Sequence, residues 1–96
     1  MDGPEIEYLA QAYFHQDFDL EADSPMGVIR NFRIGEPPEQ VEAVREAIQV
    51  LLDSGASDQQ MAEVWLARAR ASYDPRCEGL TISKWLRQVV DELSSG

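Results

Sequence analysis

Between Pro37-Pro38 and Gly55 the apolar residues Val41, Val44, Ile48, Leu51 and Leu52 recur at steps of three and four. That spacing lines one face of an α-helix, and Glu39, Glu42, Arg45, Glu46 and Gln49 fall mostly on the others. A helix with a single apolar stripe must bury it against another element. The rest of the chain supplies partners of the same kind. Ile6, Leu9, Ala10, Tyr13 and Phe14 predict a helix over residues 5–15, eased at its start by Pro4 and by Glu5 and Glu7 near the positive end of the helix dipole. Ile82, Trp85, Leu86, Val89, Val90 and Leu93 repeat the pattern after Thr81, a residue suited to cap a helix.

The punctuation between these stripes fits the same architecture. Asp23 or Ser24 can cap a short helix with Pro25 at its first position and Met26, Ile29 and Phe32 inward. Gly35 is expected to end it in the left-handed conformation, ahead of a turn enforced by Glu36-Pro37-Pro38. Ser57-Asp58-Gln59-Gln60 reads as a capping box opening a helix with Met61, Val64, Trp65 and Ala69 inward and Glu63, Arg68 and Arg70 toward solvent. Tyr73-Asp74-Pro75-Arg76-Cys77-Glu78-Gly79 reads as a loop. No stretch alternates with period two long enough to demand a strand. The expectation is a single all-α domain over residues 1–96, a compact bundle of about five short amphipathic helices. At this size the core is thin, and each large apolar side chain buried is worth roughly 1.5–3 kcal/mol.

The formal charge is −10, and seven carboxylates (Asp2, Glu5, Glu7, Asp17, Asp19, Glu21, Asp23) lie in the first 23 residues with no Lys or Arg among them. A field of that sign disfavours nucleic-acid phosphates and anionic lipid, so direct nucleic-acid or membrane binding is not expected and a basic partner is the natural complement. The bland reading is a solvated face that keeps a small protein soluble. Cys77 is the only cysteine, which precludes an intrachain disulfide and favours the cytoplasm. The N-terminus lacks the basic and apolar regions of a signal peptide, and no apolar run approaches the ~20 residues of a membrane span.

No catalytic set stands out. Asp17, Asp19, Glu21 and Asp23 alternate as in a calcium loop, but Ala22 stands where the turn requires Gly and Val28 where a bidentate Glu should close the site. His15-x-Asp17-x-Asp19 could offer one nitrogen and two oxygens to a metal, yet His15 is the only histidine, and a structural role at the helix end is the simpler reading. Asp53-Ser54 resembles the modified Asp-Ser of acyl carrier proteins, but it closes a helix where theirs opens one. Cys77 has Arg76 beside it and no Cys or His partner nearby in sequence. Tyr8, Tyr13, Phe14 and Phe18 could form an aromatic platform, though core packing is favoured, as it is for Trp65 and Trp85.

The segment Tyr13-Phe14-His15-Gln16-Asp17-Phe18-Asp19-Leu20 resembles the signature of contact-dependent growth inhibition immunity proteins, whose members carry a Tyr-Phe-His-Gln-Asp-aromatic stretch near the N-terminus. The helix from Val41 to Leu52, the Tyr73-x-Pro75 turn and Gly79 before the Trp85-Leu86 helix look like later landmarks of that family. Phe18 departs from it, since Trp is more usual there. The resemblance implies a non-enzymatic protein of the bacterial cytoplasm, without cofactor, metal or catalytic residues. It would bind the toxic C-terminal domain of a cognate effector, often a basic nuclease, as a monomer in the complex. Asp17, Asp19, Glu21 and Asp23 are then the expected toxin contacts, with Glu5 and Glu7 as a second rim. Tyr13, Phe14, His15 and Phe18 are expected to hold the fold, and Asp17 could belong to either group. The alternative is an acidic DNA mimic or inhibitor that masks a basic partner without a paired toxin.

Overall fold

The computed structural model describes residues 4–14, 24–71 and 73–94. Among them the elements are α1 (Pro4–Tyr13), α2 (Pro25–Gly35), α3 (Pro38–Asp53), α4 (Asp58–Ala62), a π-helical continuation Glu63–Arg68, a 3₁₀ turn Pro75–Glu78, and α5 (Ile82–Leu93), with no strand. α5 packs against α3, α2 and α4, while α1 crosses α3, α2 and the π-helical turn. The stripes read from the sequence all face this centre: Val41, Val44 and Ile48 of α3 are buried with Ile82, Trp85, Leu86, Val89, Val90 and Leu93 of α5. Val28, Ala62 and Tyr73 join the core as well, which the periodicity did not single out.

The helix starts follow the predicted chemistry. Ser24 Oγ accepts from the Gly27 amide at 3.0 Å, and Thr81 Oγ1 from the Lys84 amide at 3.1 Å. Ser57 and Gln60 form both bonds of the capping box, at 2.8 and 3.1 Å. Gly55 and Gly79 take the left-handed conformation at φ 80°, where a side chain would be strained. Gly35 does not: it remains within α2. The helix stops one residue later because Glu36, which precedes Pro37, is driven to extended angles (φ −101°, ψ 154°).

The segment after α4 departs from simple helical winding. The Ala69 amide bonds to Val64 O (2.9 Å) and the Ala71 amide to Trp65 O (3.2 Å), a widened turn that ends with Arg70 at φ 61°. This exit returns the chain over Trp65, whose Nε1 donates to the Tyr73 carbonyl at 2.9 Å. Phe14, Trp65, Tyr73 and Trp85 then form one aromatic cluster. Phe14 lies 5.2 Å from Trp65 and 5.7 Å from Trp85 between ring centroids, and Tyr73 is 4.9 Å from Trp85, all edge to face. The Trp85 indole N–H is buried and has no hydrogen-bond partner among the described residues.

Candidate protein-interaction surface

The extended backbone at Glu36 that ends α2 also points its side chain back toward α1. Tyr8 Oη and Tyr13 Oη both donate to Glu36 Oε2, at 3.1 and 2.7 Å. The two phenol rings rest edge-on against buried Phe32, with centroids 6.4 and 5.1 Å away. Phe32 thus anchors the site to the core and the tyrosines carry polarity outward from it. Tyr13 is half-buried, whereas Tyr8 is 42% exposed. The bond to Glu36, and secondarily desolvation and the carboxylate charge, push the Tyr8 phenol above its ordinary pKa.

Glu5, Tyr8, Glu36, Pro37 and Gln40 line a recess of about 410 Å³. Among the described residues it holds two carboxylates and no Lys or Arg. The phenols orient one of those carboxylates with neutral donors, so they fix its position while leaving its charge. The outer side of α3 carries an acidic strip of its own, where Glu39, Glu42, Glu46 and Asp53 are exposed together with Val50 (64%). Arg45 pairs with Glu42 through two guanidinium nitrogens and lowers the Glu42 pKa, and Gln49 Nε2 donates to Asp53 at 3.0 Å. Ile34, 71% exposed, stands two residues before Glu36.

The other side of Glu36 is different in character. A groove of about 550 Å³ there has Val41 and Leu93 at its base and both signs of charge around it, including Arg33, Glu42 and Arg45. Arg33 and Arg30 both reach Glu92, at 3.1 and 3.6 Å, so these cations serve to tie α2 to α5. In the loop before α5, Asp74 is held below the usual carboxylate range mainly by its side-chain bond to Arg76. The exposed thiol of Cys77 is in the 3₁₀ turn beside that pair.

Of the expected contact residues, Asp17, Asp19, Glu21 and Asp23 lie outside the described residues, as do His15 and Phe18. Glu5 joins the recess, whereas Glu7, half-buried, is not part of its lining. Phe14 is fully buried in the aromatic cluster. Tyr13 carries both roles, since its ring packs on Phe32 and its hydroxyl orients Glu36. Glu36 and Tyr8 were not singled out together by sequence reasoning, because their pairing spans 28 residues. The available signal was an acid directly before Pro37-Pro38, a position forced to extended geometry.

The sequence model of CdiI immunity proteins matches residues 2–93. The chain belongs to the CdiI immunity protein family. Among solved structures, a chain in the CdiA-CT/CdiI complex from Y. kristensenii 33638 is similar at a TM-score of 0.89, with 22% sequence identity over 97% of this chain and 99% of that one. At that identity the likeness establishes the fold. Comparison with curated protein sequences gives no match. Within this CdiI-family fold, no helix of the described residues is long and apolar enough to cross a membrane. No group of three or more His, Cys, Asp or Glu side chains among them is placed to hold a metal ion.

Proposed function

We propose that this chain is the immunity partner of a contact-dependent growth inhibition effector and neutralises the effector's C-terminal toxin domain by binding it. The family match across residues 2–93 carries the reading. The solved relative belongs to a complex described as CdiA-CT/CdiI, which makes a stoichiometric toxin complex the natural form of action. The protein acts without catalysis, in the cytoplasm of the cell it protects. Its net charge of −10 complements a toxin that is itself positively charged, as a nuclease is where it holds phosphate. The carboxylates Asp17, Asp19, Glu21 and Asp23 remain contact candidates beside Glu5 on the described surface.

Co-expression with the toxin domain of the effector gene expected beside this one tests the proposal. Growth should be rescued, and the two proteins should co-elute on gel filtration. Continued killing together with separate elution would refute the immunity reading. If the toxin is a nuclease, its purified domain should degrade tRNA or DNA, and an equimolar amount of this protein should stop that degradation.

A further inference from the structure

We propose that the recess formed by Glu5, Tyr8, Glu36 and Gln40 is the anchor point for an arginine side chain of the toxin domain. The inference rests on the immunity reading and specifies where and by what chemistry the partner is held. Three features of the recess converge on a guanidinium. The Glu36 carboxylate is already oriented: Oε2 receives both phenol hydroxyls, at 3.1 and 2.7 Å, which leaves Oε1 for a donor arriving from outside. Glu5 brings a second carboxylate to the same space, and no Lys or Arg among the described residues lines it. Tyr8 supplies an aromatic wall that is 42% exposed.

A planar cation with several donors can bond across two carboxylates while stacking on an aromatic face, which an ammonium does less well. The Gln40 amide oxygen adds a neutral acceptor. Because Phe32 and the two phenol bonds hold the receptor in place, little side-chain freedom is lost when the partner docks. The mixed-charge groove on the other side of Glu36 lacks this selectivity, since Arg33 and Arg45 line it.

The test uses the full chain and the purified cognate toxin domain identified by that co-expression. Binding is measured for the unmodified protein and for Glu36→Gln, Glu5→Gln and Tyr8→Ala, with Glu63→Gln as a charge-matched control on the exposed side of the π-helical turn. Glu36→Gln and Tyr8→Ala should each weaken binding about tenfold or more, and Glu36→Gln should also flatten its salt dependence, while Glu63→Gln stays within about twofold. In a double-mutant cycle, one toxin arginine changed to Lys should lose affinity in the unmodified partner and lose little further in Glu36→Gln. If both Glu36→Gln and Tyr8→Ala bind within twofold of the unmodified protein, or no toxin arginine couples to Glu36, the anchor is refuted and the immunity reading stands. If the unmodified protein itself fails to bind, both fall. Tyr8 is surface-exposed, so Tyr8→Ala keeps the test valid should Glu36→Gln alter folding.

Discussion

Two aromatic clusters begin on the same helix and serve opposite ends. Phe14, just past the end of α1, enters a largely enclosed group with Trp65, Tyr73 and Trp85, in which rings meet rings, the Trp65 indole bonds a backbone carbonyl and only the Tyr73 hydroxyl reaches out, to Glu78. Tyr8 and Tyr13 instead rest on a single buried ring, Phe32, and direct their hydroxyls to a carboxylate at the surface. The difference lies in which way the polar atoms point. An aromatic ring with no hydroxyl at position 14 can be surrounded completely, whereas a phenol must find a partner for its O–H and so is drawn to the boundary.

The largest test of this contrast is truncation on both sides. Phe14→Ala or Trp85→Ala should cost about 3–5 kcal/mol and could leave the chain unfolded, read by thermal melting followed with circular dichroism. Tyr8→Ala should cost under about 1 kcal/mol in the same assay, since surface substitutions rarely exceed that. Equal losses at Phe14 and Tyr8 would break the distinction. Within the closed cluster, Trp65→Phe should be worse than Trp85→Phe by about 1–2 kcal/mol. The first strands the Tyr73 carbonyl, whereas the second removes an N–H that has no partner among the described residues. A larger loss for Trp85→Phe would indicate a partner for its N–H.

Tyr73 gives a test in pH. Burial, and then its 2.8 Å bond to Glu78, raise the phenol's pKa above the ordinary value of 10.0. Below about pH 10 both folded and unfolded chains hold this proton, so stability does not depend on it. Above that pH the unfolded chain releases the proton first, and stability should fall as pH rises. Denaturant titrations from pH 9 upward should show a decline that Tyr73→Phe reduces, whereas Tyr8→Phe should reduce it less. The smallest effect is expected at Arg70, whose φ of 61° suits glycine better. Arg70→Gly should stabilise the fold by about 0.5 kcal/mol, read as a small rise in melting temperature.

Much of the fold was legible because it depends on local rules. The stripes of α3 and α5, the Ser24 and Thr81 caps and the Ser57–Gln60 box need only residues a few positions apart. Gly35 misled because glycine permits the left-handed conformation without requiring it, and Pro37 already sufficed to stop the helix. The π-helical turn left no mark in the pattern, since Val64, Trp65 and Ala69 suit an ordinary inward stripe equally well. The candidate site was the least legible part. Charge alone points to Glu5, but Tyr8 and Glu36 meet beside it only when α1 lies across the end of α2, a tertiary event with no periodic signature.

The turn at Glu36 keeps its backbone shape for a reason unrelated to the Glu36 side chain. Pro37 imposes the extended angles, and the α2 stop would survive many residues at that position. Position 36 can therefore change without moving the end of α2, at the cost of the acceptor that the Tyr8 and Tyr13 hydroxyls share. An aspartate would withdraw the acceptor by one methylene, a serine would erase its charge, and a lysine would invert it, each with the same backbone turn beneath it. If Glu36 is the toxin anchor proposed above, a lineage whose toxins diversify would find here a lock whose pin can be exchanged while the backbone turn stays fixed.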